Sequence, residues 1–474
     1  MNSGCPSRWI VATLFLCSVA IASAEAKKKP NQELNREFQV AVDHYNAGRF
    51  DEAAPELEAL LSKVPNSFEV HELLGLVYAA QSKEAQSYEH LEMAVKLEPN
   101  SAAARTNLAA SLLRTGKMAL AEEQFRKAIA LDPKGYEANR NLGELYAQSG
   151  KLAEAVPYLK NAQFIRPSYD NGYNLALAYF LTGKLASADD LAHALLREKN
   201  TGELHNLLGQ IDEKKEQFVD AANEFAASAR MDPSEDNLFS WGGEMLLHRA
   251  YEPAIEIFEQ ATARYPQASR LFVGLGMALY SRARYEEAVK ALLTAADLNP
   301  EDARSYFFLS KAFANTPIQA ADVIARFKRY AELEPNNANA AYFYATAIWK
   351  GKRAEDSEKI LPEVESLLQH AIALDPKMAE AHMQLASLYS GRREYAKSIA
   401  EYQVALTLNP DLPDAHYRLG QDYIHTGQKG LAQTELDLYQ KLRAQHLAES
   451  DKEHAEVKQF IYSARTASPV QQGR

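Results

Sequence analysis

Residues 136–167 read YEANRNLGELYAQSGKLAEAVPYLKNAQFIRP, and this stretch decides the fold. Asn139, Leu142, Gly143 and Tyr146 recur at helical spacing and share one face. Gly150-Lys151 makes a turn, after which Ala155, Leu159 and Ala162 mark a second helix. Pro167 stops it, because proline lacks an N–H and restricts the residue before it. The small residues Gly143, Ala155 and Ala162 let two antiparallel helices approach closely. The closing proline recurs about every 34 residues, at Pro65, Pro99, Pro133 and Pro167, then at Pro233, Pro266, Pro300, Pro335, Pro376 and Pro410. The one double gap, from 167 to 233, has Asn200 near its middle. Such a period means an array of small units, each too small to bury its own core.

The pattern resembles the tetratricopeptide repeat (TPR) family, whose signature runs from a large residue through Leu-Gly, Tyr and Ala to a closing Pro. His71, Leu74-Gly75, Tyr78, Leu91, Ala94 and Pro99 fit it, as do Trp241-Gly242, Ala254, Phe258, Ala261 and Pro266. The resemblance implies an all-α chain, an α-α superhelix of antiparallel helix pairs. It would hold about twelve repeats over residues 34–446, beginning near 34, 68, 102, 136, 169, 202, 235, 269, 303, 338, 379 and 413. The repeat from 338 carries extra polar residues near 350–357, read as a longer loop or an added helical turn. Thr316-Pro317 replaces the usual turn in the repeat from 303.

Arg8, an apolar run from Trp9 to Ala22, and Ala22-Ser23-Ala24 read as a signal peptide over 1–24. A flexible lead-in over 25–33 is expected to follow. Both cysteines, Cys5 and Cys17, lie in that leader, so the mature chain would carry no thiol. The expectation is an exported protein, periplasmic or secreted, bacterial in style, and not membrane-spanning after cleavage. Residues 447–467 read as a capping helix, with Ala455, Phe460 and Ile461 among many charges, and 468–474 as a disordered tail. The formal charge of −11 and mixed charge signs disfavour nucleic acid as a partner.

No catalytic motif stands out. His71-Glu72 opens like a zinc-binding helix, but glycine stands where the second histidine is needed. Val273-Gly274-Leu275-Gly276 lies inside an expected helix with no strand before it. Neither enzyme activity, nor cofactor, nor metal is expected. The His at the fourth place of several repeats (His71, His205, His382, His416) reads as a packing position.

The resemblance implies that the first helix of each repeat lines a concave groove. The fifth place gives Phe38, Glu72, Thr106, Arg140, Tyr173 and Asn206, then Phe239, Val273, Phe307, Tyr342, Met383 and Tyr417. The first six are mostly polar and the last six apolar, joined by Leu246, Met277, Tyr280 and Trp349 from other groove places. Two readings compete: anchors for an extended peptide or short helix, or a stripe buried against neighbouring repeats. Asn107, Asn141 and Asn174 form a sixth-place ladder able to hydrogen-bond a peptide backbone. A similar ladder is seen in the O-linked N-acetylglucosamine transferase family. Glu144 beside Arg140 disfavours capture of a chain-terminal carboxylate. The function expected is a non-catalytic scaffold holding a protein or peptide in the groove, the alternatives being a structural subunit of an envelope assembly and a glycan binder.

Overall fold

The computed structural model describes residues 30–351 and 357–446, with Lys458 and Ile461. The expected leader (1–24) and tail (468–474) lie outside the described residues. The chain divides into two compact units at Gln217/Phe218. The first holds α1 (Pro30–Asn46), α2 (Phe50–Lys63), α3 (Phe68–Ala80), α4 (Glu84–Leu97), α5 (Ala102–Arg114), α6 (Met118–Leu131), α7 (Tyr136–Gln148), α8 (Leu152–Ile165), α9 (Tyr169–Leu181), α10 (Leu185–Glu198) and α11 (Gly202–Lys214). The second holds α12 (Phe218–Met231), α13 (Glu235–Leu247), α14 (Tyr251–Arg264), α15 (Ser269–Ser281), α16 (Tyr285–Leu298), α17 (Ala303–Asn315), α18 (Ala320–Leu333), α19 (Ala338–Gly351), α20 (Ser357–Leu374), α21 (Ala379–Gly391), α22 (Tyr395–Leu408), α23 (Pro413–His425) and α24 (Lys429–His446). Each unit is an all-α array of helix pairs, and no strand occurs among the described residues.

Local chemistry sets the helix boundaries. After a closing proline, Ser67, Ser101 and Ser168 cap the next helix, and Thr201 does the same after Asn200, each accepting from an N–H three residues on. Within pairs the turn needs a left-handed residue. Glycine supplies it at Gly48, Gly116, Gly150, Gly183 and Gly427, while Ser82, Arg249, Ala283 and others adopt it at a cost. Paired helices then close over small residues: a Cβ on Gly143 would lie 2.8 Å from Leu159 Cδ2, and one on Gly276 2.5 Å from Leu292 Cγ. Phe125, Phe225, Phe258 and Phe327 fill the spaces between pairs and are fully buried.

At the repeat margins one expectation changes and two are made specific. Residues 30–33, assigned to the lead-in, belong to α1, because Pro30 suits a first helical position and Glu33 suits the first turn. The insertion lengthens α20 to 18 residues against 14 for α16, so it adds helix, while residues 352–356 lie outside the described residues. At Thr316-Pro317, Ile318 N–H bonds Thr316 O at 2.8 Å and Gln319 takes the positive φ, so only the turn differs.

The expected capping segment, 447–467, lies outside the described residues except for Lys458 and Ile461, both helical. Ile461 is fully buried and belongs to the core cluster of α12–α19, not to the cluster of the last repeats.

Candidate functional site: the face of the first helices

Within each unit, successive first helices touch one another directly, as α3, α5 and α7 do, and α13, α15, α17 and α19. Among the second helices of the described residues, only α16 and α18 approach comparably. The first helices therefore line the tighter, concave side of each unit.

In the first unit this face is polar yet buried. Glu72 on α3 accepts a hydrogen bond from Asn107 Nδ2 on α5 at 3.1 Å. Burial pushes the Glu72 carboxyl up to about 7; the Asn107 bond pulls against this, and Glu98 and Glu69 add to it. On α7, Arg140 Nε donates to Glu144 Oε1 at 3.0 Å, and both side chains are buried. Burial raises the Glu144 carboxyl to about 7 in spite of that guanidinium. Among the described residues, Arg140 Nη2, Glu137 Oε2 and both polar atoms of the Asn141 amide find no hydrogen-bond partner. Glu137 and Arg140, with Tyr136, Arg166, Ser168, Asp170 and Asn171, line a cleft of about 160 Å³. The Arg166 guanidinium lies over the Tyr136 ring, 4.0 Å from its centroid.

The second unit differs. Phe239, Val273 and Met277 are 1%, 0% and 1% exposed, so they are core rather than open anchors. Leu246 is likewise buried. The cause is close approach: a Cβ on Gly274 would lie 2.6 Å from Phe258, whose ring packs 6.2 Å from that of Phe239. Tyr280, Phe307 and Tyr342 are half-buried against the same cluster, and burial raises the Tyr342 hydroxyl well above its ordinary range. Trp349 packs against a separate cluster with Leu385 and Leu388, and Met383 against a third with Leu419. Tyr417 is 44% exposed and meets the Tyr439 ring at 5.1 Å. The expected stripe of six is thus buried at Phe239 and Val273, half-buried from Phe307 to Met383, and open only at Tyr417.

Residues 41–102, 85–136, 106–170, 248–303 and 273–323 match the tetratricopeptide repeat profile, and 392–427 match a second TPR repeat profile. The chain belongs to the tetratricopeptide repeat family. It is similar to the TPR repeat-containing protein YpiA of Bacillus subtilis, 24% identical over 212 residues that cover 45% of each chain. It is also similar to the mouse protein O-mannosyl-transferase TMTC3, 25% identical over 193 residues, 38% of this chain and 20% of that one. The chain thus spans less than half the length of these curated relatives. Among solved structures, the C-terminal part of a TPR repeat-containing protein from Cytophaga hutchinsonii aligns with 59% of this chain and 98% of its own, at 17% identity and TM-score 0.42. The Naa15/Naa10 complex bound to HypK-THB aligns with 86% of this chain and 68% of its own, at 16% identity and TM-score 0.40. No helix among the described residues is long and apolar enough to cross a membrane.

The TPR frame also explains the fourth-place histidines. His71 Nε2 and His416 Nε2 each lie 3.0 Å from the carbonyl of the closing proline six residues earlier, Pro65 and Pro410, and His382 Nε2 lies 3.3 Å from Pro376 O. Arg105, Asn139 and Tyr306 donate to Pro99, Pro133 and Pro300 carbonyls in the same way. His382 and His416 also bond Glu401 and Glu435 on the following second helix, at 2.6 and 2.5 Å. Where Asn200 stands in place of a proline, His205 bonds its side chain at 2.7 Å. In these seven repeats the fourth place ties the repeat to the one before it, whereas Gly172, Leu238, Phe272 and Ala341 stand there in others. Its signal in the sequence is a polar side chain six residues after the proline, which the packing reading overlooked.

Of the Asn ladder, Asn107, Asn141 and Asn174 are 2%, 2% and 1% exposed. Asn107 is already engaged by Glu72, and Asn141 is the member whose amide is left unpaired among the described residues.

Proposed function

We propose that this TPR array is a non-catalytic scaffold that holds a peptide or an extended protein segment against the first-helix face of its first unit. The observation that carries the reading is the unpaired polar set on α7: Arg140 Nη2 and Glu137 Oε2, whose residues line the 160 Å³ cleft, and the Asn141 amide next to Arg140 in sequence. A buried amide without a partner costs about 1–3 kcal/mol, and it offers one acceptor and one donor set. A peptide group in an extended chain presents the complementary pair. Arg140 Nη2 and Glu137 Oε2 repeat that donor and acceptor offer beside the 160 Å³ cleft. Backbone pairing of this kind reads chain geometry rather than sequence, so specificity falls to the polar residues around the cleft.

An extended-peptide array tests it. Peptides captured by the wild type should lose at least tenfold in affinity for Asn141→Ala, with the helical spectrum of the variant unchanged. Equal affinity would remove Asn141 from the site, and retention on cell-wall polysaccharide in place of peptide would favour a glycan reading. We also propose export with cleavage after Ala24, motivated by Arg8, the apolar run and Ala22-Ser23-Ala24. The intact mass of the protein from its native host checks it, and a chain still carrying residues 1–24 would end the idea.

A further inference from the structure

The cleft on α7 has a chemistry of its own. Glu137 and Arg140 stand three residues apart, the spacing that puts two side chains on one face of a helix. Each is held by one partner and left with one atom over. Arg140 Nε donates to Glu144 Oε1 at 3.0 Å, while Nη2 remains an unpaired donor among the described residues. Glu137 Oε1 accepts from Arg166 Nη1 at 3.4 Å, while Oε2 remains an unpaired acceptor. Among the described residues Arg140 and Glu137 do not pair with each other. Arg140 is 4% exposed and the Glu137 side chain 11%, so water screens neither well.

A buried donor and a buried acceptor on one helix, both from residues that line a cleft, define a ligand by its complement. The lining holds Arg140 and Arg166 against Glu137 and Asp170, two charges of each sign. A carboxylate would meet Glu137 Oε2 and an ammonium would meet Arg140, each a like charge in a poorly screened place. The group that suits the cleft is therefore neutral, with one acceptor and one donor side by side. A backbone peptide group does not supply this, because its C=O and N–H are trans and point opposite ways. A primary carboxamide does, because its oxygen and its NH2 share one carbon. A single water needs about 10–15 Å³, so a cleft of about 160 Å³ has room for a carboxamide and part of its stem.

We propose that the α7 cleft is a pocket for the side-chain carboxamide of a glutamine or asparagine in the bound segment. Arg140 Nη2 donates to the carboxamide oxygen, and the carboxamide NH2 donates to Glu137 Oε2. The inference rests on the reading of this face as a peptide site, and it gives that site a sequence preference that backbone pairing at Asn141 lacks.

Ligand-observed NMR on the full chain at neutral pH tests it with capped single residues: N-acetyl-glutamine N-methylamide and its glutamate, serine and alanine counterparts. Ligands this small reach millimolar affinity at best, and they are too short to span the face, so they report the cleft alone. The glutamine probe should bind wild type at least tenfold more tightly than the other three. Glu137→Gln replaces the carboxylate with an amide that donates, so the glutamate probe should gain at least tenfold and the preference for glutamine should vanish, with the helical spectrum unchanged. The wild-type ranking stands by itself if that variant does not fold. Equal binding of the four probes, no binding by the glutamine probe, a wild-type preference for glutamate or serine, or an unchanged ranking in folded Glu137→Gln would each overturn the proposal. If the glutamine probe ranks first while the peptide array shows no role for Asn141, the pocket stands and the backbone reading fails. If the array succeeds and the probe ranking fails, the reverse holds.

Discussion

Glu72 stores free energy that a single substitution should release. Its carboxyl is 5% exposed, accepts one hydrogen bond from Asn107, and is pushed from 4.5 up to about 7, by burial above all. A raised acid pKa means that the folded chain holds the proton more tightly than the unfolded chain. The folded state is therefore favoured below about pH 4.5, and that advantage is lost as pH rises to about 7. Every tenfold gain in proton affinity on folding is worth about 1.4 kcal/mol, so the ionised carboxylate costs about 3 kcal/mol at pH 8. Glu72→Gln keeps the shape and the acceptor for Asn107 and removes the charge. It should stabilise the region by about 3 kcal/mol at pH 8 and by almost nothing near pH 4.5.

A repeat array need not unfold in one step, so the effect should be read locally. Hydrogen exchange in α3 and α5, at pH 8 with exchange times corrected for pH, gives that local value. Urea melts at pH 5 and pH 8 give the same comparison for the chain. If Glu72→Gln destabilises equally at both pH values, the carboxylate is ionised and satisfied in the folded state, and the burial argument fails.

Two further changes test the packing. Gly276→Val should cost about 2 kcal/mol in thermal melts, because its Cβ would lie 2.5 Å from Leu292 Cγ, and Leu292→Ala on top should cost less than it does alone. Ala283→Gly should raise stability by up to about 1 kcal/mol, since Ala283 sits at φ 57° where a Cβ is penalised; a loss in urea melts would show that its methyl packs.

The array was legible because its signals are local. A closing proline, a cap such as Ser101 and a glycine such as Gly116 act within a few residues, so their period fixes the helix pairs. The state of the fifth place was not legible. Val273 and Tyr417 are both apolar at one register, yet one is 0% and the other 44% exposed. The difference lies in how closely neighbouring first helices approach, which depends on Gly274 admitting the Phe258 ring from another helix. Ile461 was legible as an apolar residue in a segment read as a cap for the last repeat, but the cluster it joins lies more than a hundred residues earlier, and no periodicity encodes that distance.

The sixth place supplies an internal control for the function of Asn141. Leu73 and Leu207 occupy the same register of the first unit and are fully buried, so the fold accepts an apolar side chain there. Asn141→Leu removes an amide whose two polar atoms find no partner among the described residues. Relief of that desolvation should stabilise the chain by about 1–3 kcal/mol, less any strain from the branched side chain. The same substitution removes the donor and acceptor offered to a peptide backbone. A gain in thermal stability together with a loss of peptide binding is therefore expected, the opposite pairing from a core residue, whose replacement would weaken both. If Asn141→Leu melts lower than wild type while peptide binding holds, the amide serves packing, and the first unit's binding face must be sought at other residues.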